Sequence, residues 1–555
     1  MNHPTLFLRL CLAGIAFSAM APFVGAQRPN LPQCGPDYRN VTCFGARGSD
    51  QLDDTVAIQA AVDSLDATTG GTVYFPPGTY IVTSVEVSAG IRILGDGATI
   101  KKQSNQGRFV RTFDTFQRRY SGSVDSQPLI FQGLRFDGSR HEQGPYQNFE
   151  LDQQHMIFLS ADPALPGRLR VIVEDCVFHD GVADGISIHT NVDVKITNCA
   201  AHDVFRGGIT LHGGYSKVQI TNFTACGIDH DTGIDVEIAG SGSGGAGYGD
   251  TMQCHVQING ALLSGDFDVA LSDDSTLLGN NIRMSKGPFS IYAVDSMVRL
   301  SNSYFVVGEL SSSGNRITKP DDVTFDNCTF EVSEVGHHEA DRTFAAVHVY
   351  FQIQTSTLTD QSLRFLDCDF VVHESVDLGD TVYAIKTAGA VVAERNNRIV
   401  IHGGSISEDH DFGVYMTRGG VLDARDLLLD STTGFYFHSD PVYRLDAALR
   451  SVVFGPNTEE AEHIASDLGS TTLLHQDVLL DEGLNVLGSG GGGISTHTYL
   501  GARTILGASP PASVPGYLGD RFRLKVPAEQ EVYEWVCTKS DHVAAGWASL
   551  LVIGS

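Results

Sequence analysis

Three consecutive segments between Val171 and Ile238 share one layout: VIVEDCVFHDGVADGISIH, VKITNCAAHDVFRGGITLH and VQITNFTACGIDHDTGIDVE. Cys176 recurs as Cys199, and His179 and His202 follow them at the same spacing. Gly185, Gly208 and Gly233 then open short strands reading ISIH, ITLH and IDVE. A repeat length in the twenties built from alternating segments defines a solenoid, in which each coil buries its apolar face on its neighbours. With a side-chain period of two, Ile186, Ile188, Ile209, Leu211, Ile234, Val236 and Ile238 point inward. The opposite face then carries Ser187 and His189, Thr210 and His212, and Asp235 and Glu237. Coils stack about 4.8 Å apart, so His189, His212 and Glu237 are expected in one outward column with Asp235 beside it.

The same alternation continues on both sides. LIFQGLRFDG precedes the repeats, and VQINGALLSG, VRLSNSYFVVG, VTFDNCTFEVS, LRFLDCDFVVH, IVIHGGSISED and VLDARDLLLD follow them. Upstream, Asp53 or Asp54 can N-cap a helix whose Ile58, Ala61, Val62 and Leu65 share one face. A helix followed at once by the short strands of GGTVYFPPGTYIV is suited to closing an open solenoid end. The pattern weakens after residue 455, and LGSGGGGIS (487–495) reads as a linker. The tail from 496 to 555 alternates like a small β unit and holds both tryptophans, Trp535 and Trp547. The expected organisation is therefore a signal at 1–26, an all-β parallel solenoid at 27–455, end coils and linker at 456–495, and a C-terminal β module at 496–555.

Charge and leader narrow the partners. The net charge of −29 repels nucleic acid and anionic membranes, so neither is an expected partner. One basic stretch, Lys101 to Arg119, stands against this background and would form either a solvated flap or a polymer-binding patch. Residues 1–26 have the form of a secretory signal, with Arg9 before the apolar run Leu10–Val24 and a small-residue site at Val24-Gly25-Ala26. The run is too short and broken to span a bilayer, which predicts a secreted or periplasmic protein without membrane insertion. Cys34 and Cys43 are placed to pair in such a compartment, whereas Cys176 and Cys199 fit as stacked core residues.

FGARG…DDTVAIQAAVD followed by GGTVYFPPGTY resembles the N-terminal segment of the pectate-lyase-like superfamily, which includes polygalacturonases, rhamnogalacturonases, epimerases and phage tailspike depolymerases. The resemblance implies a right-handed parallel β-helix, capped by the amphipathic helix, acting on a polysaccharide as a monomer or homotrimer. Among polygalacturonases it departs from pattern. Asp184-Gly185 matches the first motif, but Arg206-Gly207 stands where an Asp pair belongs, and His230-Asp231-Thr232-Gly233 replaces the third motif.

Two chemistries suit this residue set, with glycosidic bond hydrolysis the first expectation and uronate elimination or C5-epimerisation the alternative. Hydrolysis of a glycosidic bond needs two carboxylates across it, and Asp235 and Glu237, two apart on one strand face, set theirs roughly 6–7 Å apart. Asp184, His189 and His212 complete the catalytic candidates, with Arg206, Asp231 and His230 as substrate-binding groups. Elimination or C5-epimerisation of a uronate instead needs a cation against the sugar carboxylate and a base for the neighbouring proton. Arg206 or Ca²⁺ would supply the charge and a His or Lys the base. A hydrolase requires no cofactor, and a straight His–His–Glu column offers poor metal geometry, so no metal site is expected. The third option is a non-catalytic glycan-binding rod.

Overall fold

The structure, a computed structural model, describes residues 34–65, 69–115, 127–145, 150–162, 167–227, 232–238, 253–272, 274–285, 289–307, 316–318, 320–332, 343–350, 361–372, 381–388, 398–408, 410–417, 420–438, 445–454, 464–466, 471–476, 479–480, 486–488, 496–499, 504–507, 521–524, 533–539 and 546–551. The proposed signal at 1–26 and the glycine-rich stretch at 240–249 lie outside them. The chain divides into two compact units, one built mainly from residues up to Ser290 and the other mainly from Arg299 onward.

The first unit is a stack of parallel rungs. Leu129–Asp137, Leu169–Glu174, Val192–His202, Lys217–Cys226, His255–Leu263 and Thr276–Met284 pair in parallel register along one side. On the other side Val85–Glu86, Phe113–Asp114, Ile157–Leu159, Ile186–Ile188, Ile209–Leu211, Thr232–Ile238 and Asp266–Leu271 form a second parallel sheet. Their inward residues make the core: Ile157, Ile186, Ile209, Ile234 and Phe267 are all at most 1% exposed. Each such side chain contributes about 1.5–3 kcal/mol by leaving water.

Two backbone devices make the coils turn. Asp175, Asn198, Asn222 and Asn281 take positive φ of 52–55°, a conformation that Asn and Asp tolerate better than other non-glycine residues. Asn222 Nδ2 donates to Asn198 Oδ1 at 3.2 Å, so the bend is also hydrogen-bonded between coils. Close approach accounts for the glycines that open the short strands. A Cβ on Gly185 would lie 2.8 Å from the Gly208 carbonyl oxygen, and one on Gly208 would lie 2.6 Å from that of Gly233.

The helix Thr55–Asp63 buries Ile58, Ala61 and Val62. Asp54 holds the N-cap position without a side-chain cap bond, and the Asp53 carboxylate accepts from the Thr55 N–H at 2.9 Å. Gln59 accepts from the Glu86 N–H at 2.8 Å and donates to its carbonyl at 3.2 Å. One helix side chain thus satisfies backbone groups that an exposed sheet edge leaves open. Cys34 and Cys43 are disulfide-bonded, and Cys176 and Cys199 are buried thiols.

In the second unit parallel pairing runs from Asp322–Asp326 through Ser362–Leu366, Arg398–His402, Gly420–Arg425, Leu445–Arg450 and Thr471–Gln476 to Thr496–Tyr499. The rungs continue past residue 455, where end coils were expected. The paired strand Val486–Gly488 overlaps the first two residues of the stretch read as a linker. Pairing turns antiparallel only from Arg521–Leu524 onward, through Tyr533–Lys539 and Gly546–Leu551. The rungs past 455 are as short as two residues, too short for alternation to stand out from the sequence.

Candidate functional site

The second sheet of the first unit sets the site. Register places Phe158, Ser187, Thr210, Asp235 and Asp268 one above another on its outer face. Two residues further along each rung come His189, His212 and Glu237. The His189 and His212 rings are 5.2 Å apart, and His212 Nδ1 donates to Glu237 Oε2 at 2.6 Å. The expected column is present, because parallel rungs at this spacing carry equivalent positions directly over one another.

Arg206 joins the column to the interior. Its Nη2 donates to His212 Nε2 at 3.0 Å and its Nη1 to the Asp152 carbonyl at 3.2 Å. Its Nε lies 3.7 Å from Asp184 Oδ1. The other Asp184 oxygen is 3.0 Å from His155 Nδ1, and both side chains are wholly buried. Arg108 pairs with Asp152 at 2.7 Å. The Arg111 guanidinium lies 3.4 Å from the Phe158 ring centroid and pairs with Asp114 at 3.1 Å. Phe158 in turn packs 4.5 Å from His189.

The two carboxylates on Thr232–Ile238 differ in setting. Asp235 is 8% exposed, and burial together with Glu237, Asp268 and Asp184 pushes its carboxyl well above the usual range. The Glu237 side chain is about half exposed, and the hydrogen bond from His212 holds its carboxyl down. Asp235 was expected on an open face. It is enclosed instead, between the rungs carrying Thr210 and Asp268.

Asp184 is opposed by its own burial, yet His155, Arg206 and His212 outweigh this and hold it at about 2. Burial, with His212, lowers His189 to about 2. Burial also lowers His155 against the pull of Asp184, leaving a neutral imidazole that can donate from Nδ1. Burial penalises the Arg206 cation, but Asp184, Glu237 and Asp235 more than compensate.

Asp184, His189, Arg206, His212, Asp235 and Glu237 are thus brought together, while His230 and Asp231 lie outside the described residues. The sequence reading missed His155 and Asp152 and did not join Arg111 and Phe158 to the column. His155 stands two residues before Ile157, the position Asp184 holds before Ile186, but its rung precedes the three repeats, so their shared layout did not flag it. Its signal was a lone polar ring before the apolar run Met156–Leu159. His179–Asp180 and His202–Asp203 lie apart from this column as side-chain pairs at 2.8 and 3.0 Å, with the two rings stacked 5.3 Å apart.

A profile of the rhamnogalacturonase A/epimerase, pectate lyase-like family matches residues 38–253. The match spans less than half of the chain; with the parallel rungs just described, it supports a likeness to the pectate-lyase-like superfamily of parallel β-helix proteins. It is 41% identical over 111 residues to mannuronan C5-epimerase AlgE6 of Azotobacter vinelandii, covering 19% of this chain and 13% of that protein. It is 36% identical over 88 residues to alginate lyase 7 of the same organism, covering 16% and 10%. It is 32% identical over 141 residues to a probable glucan endo-1,3-beta-glucosidase of Arthroderma benhamiae, covering 22% and 15%. The chain therefore spans only a small part of the curated relatives it matches.

Proposed function

We propose that the chain is a polysaccharide-active enzyme that removes the C5 proton from a uronate unit, as a lyase or a C5-epimerase. The observation that carries this reading is the relay Arg206–His212–Glu237, with contacts of 3.0 and 2.6 Å. A uronate carboxylate would take the Arg206 N–H groups, as a planar guanidinium is suited to do. His212 Nε2 would then be released as the base, with Glu237 fixing the tautomer through Nδ1–H. Charge developing at C5 and on the carboxylate would rest against Arg206. Loss of the 4-linked chain gives a lyase product, and reprotonation from the other face gives the epimer. The resemblance to a mannuronan C5-epimerase and an alginate lyase supports the same substrate class.

Hydrolysis by Asp235 and Glu237 is the second reading. Its support is the opposite displacement of the two carboxyls, which is how acid and base partners are separated, and the resemblance to a probable glucosidase. The enclosure of Asp235 weighs against it, since a general acid must reach the glycosidic oxygen.

The test is digestion of polymannuronate and polygalacturonate in D₂O. Proton abstraction yields deuterium at C5 where the carbon is reprotonated, as in epimerisation, or ultraviolet-absorbing unsaturated ends where the C4–O bond breaks, as in elimination. New reducing ends without either signal would transfer the assignment to hydrolysis, and no change in any polymer would remove catalysis.

A further inference from the structure

A second cluster stands in the other unit, on the strands Thr381–Ala388, Phe412–Thr417 and Thr433–His438. Register aligns Tyr383 with Phe412, and, in a second column, Lys386 with Tyr415 and Tyr436. All five side chains are part-exposed, while Val382, Ile385, Val414 and Phe435 between them are buried. Tyr383 stacks on Phe412 at 4.9 Å and Tyr415 on Tyr436 at 5.0 Å. Tyr383 meets Tyr415 edge-on at 5.2 Å, so the rings form one block. The Lys386 ammonium lies 4.4 Å from the Tyr383 centroid and 6.0 Å from that of Tyr415.

Lys386 has an unusual setting for a lysine in a chain of net charge −29. Among the described residues its ammonium has no carboxylate partner, only ring faces, and burial alone lowers its pKa. A part-buried cation held by aromatic faces retains a demand for an anion. Around it the ring block offers rigid apolar area edged by phenolic hydroxyls, at little conformational cost on binding. Stacking between rungs alone would account for the rings, but not for an ammonium left without a counter-charge among them.

We propose that this block is a glycan-binding subsite for carboxylate-bearing polysaccharide, with Lys386 taking the sugar carboxylate and Tyr383, Phe412, Tyr415 and Tyr436 taking the sugar's apolar faces and hydroxyls. The subsite does not depend on the chemistry proposed for Arg206 and His212, because it is defined by binding alone.

The experiment titrates the full chain calorimetrically with polygalacturonate and with its fully methyl-esterified form, at low ionic strength. Lys386→Met retains most of the aliphatic stem and removes the charge. It is expected to weaken polygalacturonate binding about tenfold while changing binding of the ester little. Lys386→Arg should restore affinity, and Tyr415→Ala should weaken both polymers. The melting temperature of Lys386→Met should match the parent, which separates a binding role from a stacking role. Equal affinity of parent and Lys386→Met for polygalacturonate, or no binding of it by the parent, overturns the proposal. Turnover of short oligouronates should be unchanged in Lys386→Met. Absence of such turnover in the parent would defeat the catalytic reading and leave this titration fully readable.

Discussion

His155 Nδ1 lies 3.0 Å from Asp184 Oδ2 at a point where neither side chain has any exposed surface. The pair anchors Arg206 from beneath, 3.7 Å from the other Asp184 oxygen. Arg206 in turn reaches His212 and, through it, Glu237 at the surface. The reactive end of the column is therefore held by a buried charge that no substrate touches in the proposed reaction.

Removing that charge should unsettle the fold as well as the site. Asp184→Ala leaves His155 and Arg206 without their buried partner, a class of change that costs about 3–5 kcal/mol. Urea denaturation reads this directly. A loss below about 1 kcal/mol would mean that Arg206 re-pairs with Asp235 or Glu237 at no cost.

Glu237→Gln should behave differently, because the side chain is half exposed. Its melting temperature should stay near the parent value. Its kcat should fall by about 10²–10³, since His212 loses the group that orients it and stabilises its protonated form. Parent-level turnover by this variant would remove Glu237 from the mechanism.

Acid should destabilise the first unit well above the carboxylate range. His189 and His155 are both lowered by burial, His189 from 6.5 to about 2. Below pH 6.5 the unfolded chain takes up protons that the folded chain refuses, so stability is full above 6.5 and falls as the pH drops. Asp184, lowered from 3.8 to about 2, adds a further loss between those values by the same linkage. Asp235 works in the opposite sense: its raised pKa means that stability is lost as pH rises above 3.8. The denaturation midpoint followed from pH 7.5 to 4 should decline in the parent and decline less in His189→Gln. Parallel curves for the two proteins would show that His189 titrates as an exposed ring.

Gly208→Ala tests the close stacking of rungs under the site. The added methyl would meet the Gly233 carbonyl oxygen at 2.6 Å, a backbone atom that cannot rotate aside. A loss of about 1–3 kcal/mol is expected from overpacking, measured by thermal denaturation. Gly107→Ala, where an added methyl meets nothing within 4 Å, is the control and should stay within about 0.5 kcal/mol.

The column of His189, His212 and Glu237 was legible because parallel rungs convert a sequence repeat into spatial register. Gly185, Gly208 and Gly233 were legible as well, since each opens an equivalent strand and no side chain fits between them. Asp235 and Asp268 share a register position, yet VEIA and VALS carry no mark that one carboxyl would be closed in. Asp152 comes from a turn and His155 from the rung ahead of the three repeats, so their approach to Arg206 and Asp184 depends on packing outside the repeated stretch. The short rungs after residue 455 gave too few residues for alternation to register.

The amino-acid order alone determined the coils, the inward isoleucines, the capping helix and the polar column, because these follow from local period and from backbone approach that only glycine permits. Tertiary packing decided which polar groups stay in water. It enclosed Asp184, His155 and Asp235, left Glu237 half open, and set Lys386 over two tyrosine rings. Burial and charge partners depend on residues far apart in the chain, and those settings fix protonation and hence chemistry.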